Sequence, residues 1–294
     1  RPGRNAIVAF EGGFHGRTML ALHTTWNPAK RERFELDGFR ARWVPWPTWD
    51  RSGAEPPTGD LAGWDRVAEG PRPLPDGADD LLTVEWASLS AVEQAFTDDG
   101  AVAILVEPMQ SEGGERYMTE RFAARLRALA TAYGIPFIVD EVQTGFGLGG
   151  PFFWHRRWDL PSPPDLVTVA KKAQLGAVLS TGPLGDGAEA HVVSAVRGSL
   201  QAAIMAEGDP DQMEATIRTR LDALAEAHPA TVLAPRITAF AFGFDLPDPL
   251  PGDVELLADF FQGMVSVHLD TEAHAQHLRL PGGQAGQDRA GRFT

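Results

Sequence analysis

The chain has 294 residues, 43% of them hydrophobic, enough for one large domain or two smaller ones around a packed core. Its 26 basic and 40 acidic residues leave a formal charge of −14, which argues against nucleic acid and anionic membrane as partners. There is no cysteine, so disulfides, thiol catalysis and thiolate-bound metal are excluded and a cytoplasmic location is expected. No apolar run reaches the length of a membrane span, and Arg1-Pro2-Gly3-Arg4-Asn5 lacks the apolar core of a signal peptide.

Ala6 to Phe10 is short, apolar and bounded by polar residues, which predicts a buried strand. Coming so early, it reads as the interior of a domain. Glu11-Gly12-Gly13 turns the chain, Phe14-His15-Gly16-Arg17-Thr18 follows, and Met19 to Leu22 is predicted helical. Residues 26–42 are mixed and charged, and Arg42 to Trp46 is predicted as an edge strand because Pro45 has no ladder donor. The stretch 47–78 is rich in Pro, Gly, Asp and Trp and is predicted to be a surface excursion. Ser88 to Phe96 puts Leu89, Val92, Ala95 and Phe96 on one helical face.

A second strand, Ala101 to Val106, ends in Glu107-Pro108. Thr119 caps a helix whose apolar positions are Phe122, Leu126, Leu129 and Tyr133, with Gly134 as its stop. Pro136 to Val139 is a third strand closed by Asp140, and Gly145 to Gly150 is predicted to be a flexible loop. Phe152 to Trp158 is predicted helical, Leu166 to Ala170 is a fourth strand closed by Lys171, and Ala177 to Ser180 is a fifth. Asp209-Pro210 opens a helix with Met213, Ile217, Leu221 and Leu224 as its buried face, stopped by His228-Pro229. Ile237 to Leu246 is strand-like, Val254 to Phe261 helical, and 282–294 carries no core pattern.

Strands alternating with helices predict an α/β domain with a largely parallel sheet, whose sites gather at the carboxyl ends of strands. Glu107, Asp140 and Lys171 all fall at such ends. The chain has only three lysines, Lys30, Lys171 and Lys172, among 26 basic residues. An ammonium can lose its proton and attack a carbonyl, which a guanidinium cannot. Alone, Asp140 reads as an ordinary turn acid and the lysine pair as surface charge. Together they predict that Lys171 carries pyridoxal phosphate (PLP) and that Asp140 keeps the cofactor's ring nitrogen protonated. Val142 would pack on the ring and Gln143 would meet its phenolic oxygen. Adjacent lysines at a strand end are expected to point in opposite directions, so only one reaches the ring. Glu107 and Glu112 form a weak paired-acid motif. No zinc-ligand His pair, no P-loop and no Gly-x-Ser-x-Gly is present.

Four segments carry a resemblance: Phe14-His15-Gly16-Arg17-Thr18, Glu107-Pro108-x-Gln110-x-Glu112-Gly113-Gly114, Asp140-Glu141-Val142-Gln143-Thr144-Gly145 and Ala170-Lys171-Lys172-x-Gln174. In this order and spacing they resemble the class III, fold-type I PLP-dependent aminotransferases, most of all the lysine 6-aminotransferase branch. The resemblance covers roughly residues 5–180 well and the remainder loosely. It implies the PLP-dependent transferase fold, with a large PLP-binding domain over 1–226 and a smaller α+β C-terminal domain over 227–294. It implies transfer of an amino group from an amino acid or amine of lysine or ornithine type to a 2-oxo acid such as 2-oxoglutarate, by a homodimer or with a partner chain. Phe14 would stack on the ring with His15 beside it. Arg17 would bind the substrate carboxylate. Asp140 would hold the ring nitrogen, Val142 the opposite face and Gln143 the ring hydroxyl. Lys171 would form the Schiff base, Glu112 would gate the substrate side, and Glu107 would join Arg17 and Glu112 as a substrate-binding residue.

The sequence departs from the family pattern in three places. The segment expected before Phe10, with its phosphate-binding loop, is not among these residues. A Ser-Thr-aromatic-Gly-Gly-Asn stretch is expected where Arg197-Gly198-Ser199-Leu200-Gln201 runs into a helix. Leu278-Arg279-Leu280-Pro281 offers one arginine where two are expected. The alternatives are a degenerate homologue serving as a binding or scaffold subunit, or one part of a split enzyme. These residues alone are expected to hold PLP weakly.

Overall fold

β1 (Ala6–Phe10) is buried along its length except at half-buried Ile7, as a strand covered on both faces should be. In the computed structural model the described residues are 4–32, 34, 38–47, 80–98, 100–113, 116–185, 192–208, 210–230, 232–238 and 241–245. After β1 come α1 (Met19–His23), α2 (Pro28–Arg31), β2 (Arg40–Val44), α3 (Asp80–Asp98) and β3 (Ala101–Val106). The short strands β4 (Met109–Gln110) and β5 (Arg116–Tyr117) precede α4 (Glu120–Ala132) and β6 (Phe137–Asp140). β7 (Leu166–Val169), β8 (Ala177–Ser180), α5 (Val192–Glu207), α6 (Pro210–Ala227), β9 (Leu233–Thr238) and β10 (Ala241–Asp245) follow, with 3₁₀ turns at Trp154–Arg157 and Lys171–Ala173.

The central sheet has the order β2-β1-β3-β6-β7-β8. Its pairings are parallel except the last, where β8 runs antiparallel to β7, so the sheet is mixed at one edge. Ile104, Phe137 and Val139 are wholly buried in its middle, in one core with Val92 of α3 and Phe122 and Leu126 of α4. Thr119 caps α4 by accepting from Phe122 N at 3.1 Å. At the other end Gly134 takes φ +58°, and Ile135 N and Gly134 N bond back to Ala130 O and Thr131 O at 2.8 and 3.0 Å. This is a Schellman closure, which a side chain at Gly134 would strain.

Several elements differ from their predicted form. α3 begins at Asp80, well before Ser88, because Leu81, Glu85, Leu89 and Val92 form one buried stripe with a carboxylate in it. Glu85 is accepted there because Thr119 Oγ1 donates to it and Arg121 Nε lies 2.6 Å away. β2 occupies 40–44 rather than 42–46, so Pro45 falls just beyond it. The Gly145–Gly150 segment is a packed turn, not a loose loop: Phe146 is buried, and Phe146 N and Gly147 N both donate to Phe152 O. A Cβ on Gly149 would lie 2.4 Å from the Trp154 ring. Arg197 to Gln201 lies inside α5 rather than ahead of a helix. Of the strand-like 237–246 region, residues 237–238 fall in β9 and 241–245 in β10, and the two strands pair antiparallel. The features expected at 254–261, 278–281 and 282–294 lie outside the described residues, as does the 48–79 part of the excursion. Among the described residues no helix is long and apolar enough to cross a membrane, and no group of three or more His, Asp or Glu could hold a metal ion.

Candidate active site

β3, β6 and β7 are consecutive and parallel in the sheet, so Glu107, Asp140 and Lys171 come to the same edge. Asp140 is 7% exposed. Its Oδ2 accepts from His15 Nδ1 at 2.8 Å, and its Oδ1 accepts from Thr168 Oγ1 at 2.9 Å and Val142 N at 3.1 Å. An ionised carboxylate can accept about four hydrogen bonds. The place left over is on Oδ2, which fits a protonated pyridine nitrogen, an N–H donor with a positive charge.

His15 is fixed in turn by its backbone, which donates to Thr25 Oγ1 at 3.0 Å, while that hydroxyl donates to Gly16 O at 3.0 Å. Burial alone would lower the His15 pKa, but the hydrogen bond to Asp140 and the charges of Glu107 and Asp140 outweigh it and hold it above 6.5. Glu107 Oε2 accepts from Phe14 N at 3.0 Å, tying the segment that carries Phe14 to the end of β3. Burial pushes the Glu107 carboxyl up to about 7; the His15 charge opposes this and the Asp140 charge adds to it. Glu107 thus positions Phe14.

Lys171 and Lys172 do not alternate as residues of a strand would. Both lie in a 3₁₀ turn, where successive side chains are about 120° apart. The two therefore reach the same residue: Lys171 Nζ donates to the side-chain oxygen of Gln143, and Lys172 Nζ to its backbone oxygen at 2.7 Å. Lys171 is exposed and takes φ +46°, a left-handed conformation costing on the order of 1–3 kcal/mol for a residue with a side chain. Lys172 is more buried, and burial, then the Lys171 charge, lower its pKa to about 8 against the pull of Glu141. α5 packs against this turn at Gly198, where a Cβ would lie 2.0 Å from Leu175 Cδ2 and 3.0 Å from Ala173 O.

Val142 and Gln143 are half-buried beside Asp140. Phe14 lines an open cleft of about 420 Å³ together with Gly13, Trp26, Lys30, Glu112 and Arg116. Glu112 is ion-paired there with Lys30 at 2.6 Å. Arg17 is exposed and does not line the cleft. Reading the sequence passed over Thr25, Thr168 and Glu141 as working residues. Glu141 is fully buried and accepts from Trp154 N, His155 N and His155 Nδ1 at 2.8, 2.8 and 2.7 Å, which clamps the glycine-rich turn behind the site. The one sequence signal for it was a second carboxylate directly after the strand-end acid.

Residues 70–204 match the family model described as aminotransferase class III. Over these residues, and in its fold, the chain is similar to class-III, fold-type I PLP-dependent aminotransferases. Over 171 residues it is 38% identical to a 4-aminobutyrate aminotransferase of Dictyostelium discoideum, covering 58% of this chain and 30% of the relative. Over 169 residues it is 37% identical to an acetylornithine aminotransferase of Methanopyrus kandleri, covering 58% and 32%. The lysine aminotransferase structure from M. tuberculosis superposes with a TM-score of 0.66 at 26% identity, over 84% of this chain and 55% of that one. The chain spans about a third of the length of these two curated relatives.

Proposed function

We propose that the protein transfers an amino group from an amino acid or amine of lysine or ornithine type to a 2-oxo acid such as 2-oxoglutarate, with PLP as cofactor. The observation that carries this reading is the buried Asp140 carboxylate. It is held by three donors and has one acceptor place left, beside the lysine turn on the adjacent strand. When bound, PLP supplies a protonated ring that draws electron density from the substrate's Cα.

The chain's own residues supply the rest. Asp140 Oδ2 keeps a proton on the ring nitrogen, and His15 and Thr168 stop the carboxylate from turning away. Phe14 and Val142 would hold the ring from opposite sides. Gln143 presents a side chain to the ring oxygen, and its contact with Lys171 keeps that amine in the same place. Lys171 Nζ, once neutral, would take the proton from the substrate's Cα and hand it on to the cofactor's C4′ carbon, so that the amino nitrogen stays with the cofactor. In this reading Arg17 grips a substrate carboxylate after moving in from its exposed position.

A second copy of the chain is part of the proposal. Val193, Val196, Leu200 and Ile204 are exposed on α5, the helix that packs on the lysine turn, and a partner there would cover them. The test is to add PLP and a panel of lysine, ornithine and 4-aminobutyrate with 2-oxoglutarate, following visible absorption and glutamate formation. A visible band and glutamate from one of the donors are expected. No band and no glutamate would overturn the reading.

A further inference from the structure

Lys172 has no part in the proposed chemistry, yet it is the more buried of the two lysines in the 3₁₀ turn. Sheltering an ammonium from water is unfavourable unless the charge is hydrogen-bonded. Here Nζ donates to Gln143 O at 2.7 Å, a partly buried contact across 29 positions. The rest of the segment after Asp140 is tied from within. Val142 N donates to Asp140 Oδ1 at 3.1 Å, Gly145 N to Glu141 O at 2.9 Å and Thr144 Oγ1 to Glu141 Oε2 at 3.2 Å. Gln143 is instead gripped from the end of β7, by Lys171 at its side-chain oxygen and by Lys172 at its backbone oxygen. The two grips differ. The Lys171 contact is exposed, and in the proposed reaction Lys171 releases Gln143 whenever its amine reacts. The Lys172 contact is sheltered, and no step requires Lys172 to move.

We propose that Lys172 is a positioning residue: it holds the Gln143 backbone, so that the Gln143 side chain keeps its place while Lys171 leaves and returns. The inference rests on the aminotransferase reading for the work of Lys171, although the contact itself needs no PLP. Burial, then the Lys171 charge, lower the Lys172 pKa to about 8, and the Glu141 charge opposes them. Below about pH 8 the donor is therefore an ammonium, whose hydrogen bond to a carbonyl is stronger than a neutral amine's.

Gln143-Thr144 is the only Gln-Thr pair in the chain, and Thr144 is fully buried. Labelling glutamine with ¹³C at the carbonyl and threonine with ¹⁵N therefore gives one cross-peak, from the amide whose oxygen accepts from Lys172. In the chain without PLP, the carbonyl signal should shift as the pH is raised through about 8. Lys172→Met should displace the signal and abolish that response. Lys171→Met should leave the signal in place at neutral pH and move the response to higher pH, because the charge that helps depress the Lys172 pKa is gone. With PLP, Lys172→Met should lower kcat about tenfold while Lys171 still takes the borohydride label. The proposal is overturned if the parent signal does not respond to pH, or if Lys172→Met with an unchanged far-ultraviolet spectrum keeps the parent's signal or its kcat. It is also overturned if Lys171→Met displaces the signal as far as Lys172→Met does, or abolishes the pH response. Should Lys172→Met fail to fold, the parent titration and Lys171→Met decide. Failure of the aminotransferase reading is seen separately, as no visible band and no glutamate from the parent with PLP present.

Discussion

Asp140 is where a single charge has the most to do. Asp140→Asn keeps the size of the side chain but removes the charge proposed to hold a ring nitrogen protonated. With PLP saturating, kcat should fall by on the order of 10²–10³, measured as glutamate formed, and an unchanged kcat would remove Asp140 from the mechanism. Lys171 and Lys172 are separated by chemistry. Borohydride reduction and peptide mapping should place the cofactor label on Lys171, and Lys172→Ala should keep that label while Lys171→Ala loses it. Glu107 gives a pH signature. Its carboxyl is raised from 4.5 to about 7, so the folded chain binds this proton more tightly than the unfolded one. The stabilisation is complete below about 4.5 and is lost as the pH rises to about 7. Glu107→Gln removes that loss. Urea midpoints of parent and variant should therefore move apart between pH 5 and 8, with the variant gaining, and parallel curves would contradict the assignment.

At the scale of elements, Thr119 joins two helices. It caps α4 through Phe122 N and donates to Glu85, which is 2% exposed in α3. Thr119→Ala removes the cap and one donor to a buried carboxylate, for an expected loss of about 1–3 kcal/mol in urea unfolding. Thr119→Ser should recover most of it. If alanine and serine behave alike, the hydroxyl is not what links α3 to α4. The lysine turn is a second junction: α5 lies close because residue 198 has no Cβ, so helix and turn should respond together to substitution there.

For the molecule as a whole, the parallel run β3, β6, β7 decides where the candidate site sits, because it lines up three strand ends. A cofactor held there binds the folded chain and not the unfolded one, so it stabilises by mass action. The thermal midpoint should rise with PLP concentration, toward about 2.7 kcal/mol of added stability at a hundredfold excess over Kd. Asp140→Ala should blunt the rise. A midpoint indifferent to PLP in the parent would mean that the site does not form.

The sequence alone determined the strand cores, the capped helix α4 and the three strand-end residues, because apolar runs, a Thr cap and a glycine stop act locally. It could not show α3's true start, since Glu85 breaks the apolar period and is tolerated only through Thr119 and Arg121. It misread the glycine-rich turn because what packs that turn is Glu141 bonding to Trp154 and His155 farther along the chain. The lysine pair was found from composition, but its geometry was not: the backbone leaves the strand before Lys171, so alternation no longer applies. His15 meets Asp140 across 125 positions and Lys30 meets Glu112 across 82. No local pattern records such contacts. They exist because the sheet order brings the segment after β1 over the ends of β3 and β6, and only the tertiary structure decides that.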